Sequence, residues 1–175
     1  MPSDDVSMLR KIWPGFWRDL MLNTVISSSL VPPRVRAIAL RMYGMKVGAN
    51  VFISPAVWFG SKRVTLGTST FVNYGCRFNT SSPISIGERC NIAMDVLFVT
   101  DTHELGPHSR RAGENKSAPI KVGNGVWIGA RAVILPGISI GDGVVIASGA
   151  VVAADCENDG LYAGVPARRI KTIEQ

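Results

Sequence analysis

Hydrophobic positions in the second half of the chain recur every six residues, at Val122, Ile128, Ile134, Ile140, Ile146 and Val152. Four residues after each of the first five stands a second apolar residue: Val126, Ala132, Ile138, Val144 and Ala150. A period of six matches neither the 3.6 of a helix nor the alternation of a continuous strand. It predicts a solenoid in which each hexad forms one short strand and a turn, so that the recurrent position always points into a narrow core. Glycine follows the aliphatic residue in Val122-Gly123, Ile128-Gly129 and Ile140-Gly141, and Pro136-Gly137 marks another corner. These glycines are expected to let the chain bend at each corner.

The same period opens at Val47-Gly48, passes through Ile53 and Phe59, and slips by one residue to Leu66, Val72 and Phe78. It slips again to Ile86, Ile92 and Phe98, and such slips belong at corners, where stacked coils tolerate insertions. Then it stops. Residues 102–118 are polar and aperiodic and hold both histidines, His103 and His108, before Pro119-Ile120 restarts the pattern. A polar excursion from an otherwise continuous rod points to a functional loop.

Residues 1–46 lack the six-residue period. Trp17, Met21 and Val25 share one helical face, and Val35, Ile38 and Met42 share another after Pro32-Pro33, which predicts two short helices. The expected organisation is a helical N-terminal cap over residues 1–46, closing the open end of the rod, and a solenoid domain over 47–175 with the loop 102–118 extruded. The alternative for the front segment is peripheral contact with anionic lipid through Trp13, Phe16 and Trp17 and their basic neighbours, Arg36 among those counted.

Composition narrows the function classes. The 175 residues suit one domain, the apolar fraction of 46% argues against disorder, and 18 glycines with 10 prolines suit many turns. A formal charge of +6 suggests an anionic ligand or surface, but without a basic run or interleaved aromatics nucleic acid is not expected. Three cysteines make no disulfide framework; Cys76 and Cys90 fall at the fifth place of their hexads and read as core fillers. A cytoplasmic setting is expected. The apolar stretch from Leu20 to Val31 is interrupted by polar residues and is not expected to span a bilayer.

Four blocks joined by hexads carry a resemblance: Val72-Asn73-Tyr74-Gly75-Cys76, Thr100-Asp101-Thr102-His103, Val126-Trp127-Ile128-Gly129-Ala130 and Ala163-Gly164-Val165-Pro166-Ala167-Arg168. In this order they resemble the hexapeptide-repeat acyltransferases, most closely the acetyl-CoA-dependent sugar O-acetyltransferases acting on galactosides, maltose and surface polysaccharides. The resemblance covers residues 47–175 and implies an all-β solenoid, a left-handed parallel β-helix; its winding comes from the resemblance alone. It also implies a homotrimer with active sites between subunits. An exposed Trp127, turned outward between inward Val126 and Ile128, independently asks for a partner.

The implied chemistry moves an acetyl group from a thioester to a sugar hydroxyl by direct attack, which needs a base, oxyanion donors and a groove for acetyl-CoA. His103 matches the family's base, Asn73 the residue that orients the acceptor, and the Ala130 amide the oxyanion donor. Trp127 and Gly129 fall beside the acyl end of the cofactor, Ser148 and Gly149 along its pantetheine arm, and Arg168 and Lys171 near its phosphates. Arg110 matches an arginine of the same loop and is expected to pin it. Two features depart from the family. Ala153-Ala154 replaces a frequent threonine-lysine, a lost contact that either lowers cofactor affinity about tenfold or is offset by Arg168 and Arg169, and the front 46 residues lack a match to the acidic acceptor-binding residue of the maltose and galactoside enzymes. No metal is implied for the chemistry. The alternatives are N-acetylation of an amino sugar, which the same base serves, and a non-catalytic β-helix scaffold, which has no need of His103, Asn73 and Trp127 together.

Overall fold

A computed structural model describes residues 15–174. From Lys46 onward the chain winds as a three-sided rod whose strands stack parallel, coil upon coil. The first face carries Lys46–Val47, Val64–Leu66, Ile84–Ile86, Ile120–Val122 and Ser139–Ile140. The second runs from Phe52–Ile53 through Phe71–Val72, Asn91–Ile92, Trp127–Ile128 and Val145–Ile146 to Gly160–Ala163. The third carries Trp58–Phe59, Arg77–Phe78, Leu97–Phe98, Val133–Ile134 and Val151–Val152.

Every recurrent hexad residue from Ile53 to Val152 is buried, and the second apolar set from Val126 to Ala150 lies beside it. The core is therefore a set of columns, with like position above like position in adjacent coils. On the third face Phe59, Phe78 and Phe98 stack with ring centroids 5.2 and 4.8 Å apart, close to the rung spacing of a β-sheet. The same column continues as Ile134 and Val152. Cys76 and Cys90 are wholly buried, as their hexad places require, and burial pushes the Cys76 thiol up to about 11.

Gly137 bends the chain in a left-handed conformation (φ 83°), as expected, but the glycines after the aliphatic residues do a different job. They mark close approach between coils: a Cβ on Gly87 would lie 2.4 Å from the Gly123 carbonyl oxygen, and one on Gly123 would lie 2.8 Å from the Asp142 amide nitrogen. The bend itself comes two residues later, in left-handed conformations, and seven non-glycine residues adopt them, Asn50, Ala56 and Arg131 among these. The extra residues behind the two slips occupy the bends at 60–63 and 79–83, outside the strands.

Among the described residues four side chains from the front segment close the first coil's open edges, one on each face and Ser27, which donates to the Val57 carbonyl at a corner. Asn23, in the π-helical segment Asp19–Ile26, accepts from the Phe59 amide at 2.8 Å and donates to its carbonyl at 3.1 Å, imitating a strand. Arg36 in the helix Pro33–Met42 donates to the Ile53 carbonyl, and also to the carbonyls of Ile26, Ser28 and Val31 at 2.7–2.9 Å. Arg41 donates to the carbonyls of Val47 (2.7 Å) and Gly48. One residue per face thus satisfies edge groups that would otherwise be free to pair with another chain.

This arrangement overturns the helical faces read from the sequence. The buried residues are Leu22 and Ile26 in one helix and Arg36, Ala37 and Leu40 in the other. Trp17, Val25, Val35, Ile38 and Met42 are exposed. The helices turn toward the rod the faces that carry hydrogen-bonding side chains, because unpaired edge carbonyls demand donors more strongly than the apolar stripe demands burial. Arg36 is fully buried and so is not among the surface cations. Trp13 lies outside the described residues. At the far end Arg168–Thr172 pairs antiparallel with Gly160–Ala163 and covers the last edge of the second face.

Candidate active site

The excursion is a β-hairpin rather than an irregular loop: Asp101–Leu105 pairs antiparallel with Ala112–Ser117. Its root is tied to the preceding coil. Buried Thr100 donates to the Asn79 carbonyl at 2.9 Å and accepts from the Ser82 amide at 3.0 Å. Ser81 donates to Asp101 at 2.9 Å, and Ser82 and Ser117 hydroxyls meet at 2.9 Å. Farther out, Lys116 pairs with Glu104 across the strands. The Thr-Asp-Thr that precedes His103 is thus the clamp that presents it.

The His103 ring is exposed, and its Nδ1 lies 3.1 Å from the Gly113 carbonyl oxygen. A carbonyl only accepts, so Nδ1 carries the hydrogen and the neutral ring presents Nε2 as a lone pair. That is the tautomer a general base needs. Arg110 is exposed and its guanidinium holds nothing in the loop. The tie at the hairpin tip comes from Arg111, whose carbonyl accepts from the Gly106 amide at 2.9 Å and whose guanidinium donates back to the Gly106 carbonyl at 3.4 Å. His108 stays on the surface of the tip.

Asn73, Ala130, Ser148 and Gly149 stack along one edge of the rod, the corner between the second and third faces. The Asn73 side-chain oxygen accepts from the Tyr74 amide at 2.8 Å, which turns its NH₂ outward as a donor. At this corner the residue after each strand bonds the next coil and the residue two further on bonds the previous one, as Gly129 and Arg131 do. The residue between them is left over. The amides of Ala130 and Ser148 make no hydrogen bond among the described residues, so adjacent coils present free N–H groups in file. Gly129 is required by contact, since a Cβ there would lie 2.5 Å from the Ser148 nitrogen.

Beside this edge, on the outer surface of the second face, a cavity of about 460 Å³ is lined by Phe71, Asn73, Asn91, Ile92, Ala93 and Trp127. Trp127 is 57% exposed. Phe71 and Asn91 were missed from the sequence, although the logic that turned Trp127 outward applies to them: each directly precedes an inward hexad residue.

His103 is not part of this cavity. The hairpin leaves the rod at the corner between the third and first faces, so the His103 ring and the Asn73 corner sit on different edges of the rod. At the C-terminal end Lys171 and Arg168 are exposed, whereas Arg169 is bound by Glu157, the Asn158 carbonyl and Thr172. The compensation expected from Arg169 for the Ala153-Ala154 departure is therefore reduced, because its charge is already engaged.

A model of the bacterial transferase hexapeptide, six repeats long, matches residues 119–154. The galactoside O-acetyltransferase of Escherichia coli (strain K12) is 35% identical over 128 residues, which cover 73% of this chain and 63% of that protein. The crystal structure of a maltose O-acetyltransferase from Clostridium difficile 630 is 32% identical, with a TM-score of 0.81 over 88% of this chain and 83% of that one. A hexapeptide-repeat acetyltransferase from Vibrio cholerae O1 biovar eltor, solved in complex with acetyl coenzyme A, is 28% identical, with a TM-score of 0.82 over 99% and 92%. The winding shared with these structures is the left-handed parallel β-helix.

Proposed function

Because the chain belongs to the hexapeptide-repeat acetyltransferases, alongside the galactoside and maltose O-acetyltransferases, we propose that it transfers an acetyl group from acetyl-CoA to a sugar hydroxyl. The observation that carries this reading is the His103 ring, exposed at the root of a clamped hairpin with Nδ1 held by a carbonyl and Nε2 open. Nε2 takes the proton of the acceptor hydroxyl as its oxygen attacks the thioester carbonyl. The Asn73 NH₂ steadies that hydroxyl, and the free Ala130 amide receives the negative charge that develops on the thioester oxygen. Collapse of the tetrahedral species expels CoA thiolate, and His103 releases the proton to it.

No acyl-enzyme is needed. The cysteines are buried with their thiols pushed up by burial, so none supplies a thiolate. The free amides of Ala130 and Ser148 offer a polar rail for the amide-rich pantetheine arm, with Trp127 and Gly129 at its acyl end. Arg168 and Lys171 remain for the phosphates.

Base and acceptor corner lie on different edges, so a complete site takes the hairpin of one subunit and the Asn73–Trp127 edge of another, within a homotrimer. Incubation with acetyl-CoA, a panel of sugars and a thiol-trapping dye tests the reaction: wild type releases thiol and His103→Ala does not. Mixing inactive His103→Ala and Asn73→Ala subunits tests the sharing. Mixed trimers regain activity if the two residues serve one site from different subunits, and stay inactive if each subunit holds its own.

The exposed Phe16 and Trp17, next to Arg18 in the chain, support a second reading for the front segment, contact with an anionic membrane surface. Among the described residues no helix is long and apolar enough to cross a membrane. Flotation with anionic liposomes, with Trp17→Ala as the control, decides it.

A further inference from the structure

Charge is distributed unevenly along the chain. Residues 15–87 carry eight lysines or arginines and one acidic residue, whereas residues 88–174 carry nine basic and ten acidic. In a solenoid, sequence order is axial order, so this asymmetry becomes a field along the rod, positive over the helices and first two coils. The single acid, Asp19, is engaged by Arg18 at 2.9 Å. Arg36 is buried among carbonyls. The other cations of this region have no carboxylate partner among the described residues.

A second cavity, of about 350 Å³, lies between the helix Pro33–Met42 and the first coil, lined by Arg34, Ile38, Arg41, Asn50 and Phe52 among others. Among the described residues no carboxylate lines it. Arg34 is exposed and makes no side-chain hydrogen bond or ion pair among the described residues, so its whole guanidinium fork is open. Arg41 spends Nε and Nη2 on the Val47 and Gly48 carbonyls and keeps Nη1. Phe52 and Ile38 give the cavity an apolar side.

The two cavities share a wall. Phe52 lines this one, Phe71 lines the Asn73–Trp127 cavity, and their rings stand 5.3 Å apart in registered positions on the outer face. With about 3.3 Å per residue along a strand and about 4.8 Å per rung, the Asn50 corner lies roughly 10–15 Å from the Asn73 corner. That distance suits a sugar ring and its linkage, with aromatic rings under the apolar face of the sugar.

We propose that the acceptor is an anionic glycoside, lying across Phe52 and Phe71 with its reacting hydroxyl at Asn73 and a phosphate or carboxylate in the fork of Arg34. The proposal rests on the transferase reading above and names its substrate class. Phosphate and carboxylate share the oxyanion geometry that a guanidinium binds, and they are separated by experiment.

The probes are three matched acceptors in the glucose and galactose series: the 1-phosphate, the uronic acid and the neutral methyl glycoside. Thiol release from acetyl-CoA gives kcat/KM for each, and calorimetry without acetyl-CoA gives binding. Wild type prefers at least one anionic acceptor over the neutral one, mainly through KM, and the better anion identifies the group. Arg34→Gln lowers that ratio about tenfold, the loss of one charge-assisted contact, and Arg34→Lys restores part of it. The Arg34 side chain makes no hydrogen bond or ion pair among the described residues, so an unchanged Tm checks that the variants fold. Equal kcat/KM for all three acceptors, or a ratio that Arg34→Gln does not move, overturns the proposal. The two readings separate cleanly. Anion-selective binding lost in Arg34→Gln, with no thiol release from any acceptor, supports this site and sinks the transferase. Turnover of neutral acceptors without anion preference does the reverse.

Discussion

The front coils, Lys46 to Phe98, and the back coils, Ile120 to Ala163, share one register and one set of core columns, yet they are built differently. In front the third-face column is three stacked phenylalanines; behind the hairpin it is Ile134 and Val152. Corners in front take extra residues at 60–63 and 79–83, whereas residues 119–154 keep the hexad without a slip. The front coils carry five basic and two acidic residues, the back coils two basic and four acidic. The strict half offers a straight file of free amides at Ala130 and Ser148, which suits a long linear donor. The irregular half, with Arg34 of the preceding helix and Trp127 of the back half, lines shaped cavities through Phe52, Phe71 and Asn73, which suits an acceptor. The hairpin with His103 is inserted where the two halves meet.

The sharpest break is at that junction. His103→Ala should lower acetyl transfer about 10²–10⁴-fold, the usual share of a general base. Its Tm should not move, because the exposed ring contributes one hydrogen bond to the hairpin and nothing to either core. A large fall in Tm would place His103 in the structure instead of the chemistry. Next come the two versions of one column. Phe78, between two stacked rings, should cost about 3–5 kcal/mol as Phe78→Ala, and Ile134→Val about 0.5–1.5 kcal/mol, read by denaturant unfolding. Similar values for both would mean that the aromatic stack adds little to the front half.

Arg36→Met should destabilise by roughly 2–4 kcal/mol, because the carbonyls of Ile26, Ser28, Val31 and Ile53 lose a donor in a buried place. Its effect should appear in hydrogen exchange of the first coil and leave residues 119–154 protected. Uniform loss of protection would show that the halves unfold as one unit. The smallest effect is alkaline. Burial pushes Cys76 in front and Cys156 behind up to about 11, from an ordinary value of 9.0. Thiols whose pKa is raised on folding bind more protons folded than unfolded above that ordinary value, so stability is full below about pH 9 and declines toward pH 11. A Tm–pH series should show this slope, and replacing either cysteine by alanine should remove part of it.

Much of the rod was legible because a hexad is a local signal: Val122 to Val152 name their own core positions without knowledge of any partner. The excursion that carries His103 was legible because the repeat breaks there. The helices were misread for the opposite reason. Trp17, Val25, Val35, Ile38 and Met42 form apolar stripes, yet the faces carrying Asn23 and Arg36 turn inward, because the strands they must satisfy belong to another part of the chain. Gly137 bends as read, but the glycines after the aliphatic residues were placed correctly and explained wrongly, since the atoms a Cβ on Gly87 or Gly129 would meet lie in the next coil, 36 and 19 residues away at Gly123 and Ser148.

The sequence by itself determined the coiling, its corners and the point of its interruption, because each depends on residues no more than a few positions apart. The tertiary structure alone decided which edge each candidate group occupies: Asn73, Ala130 and Ser148 on one, the His103 hairpin on another, and the Arg34 cavity beside the Trp127 cavity, with Phe52 and Phe71 in contact between them. Edges exist only once coils stack, and stacking brings together residues a whole turn or more apart in the chain.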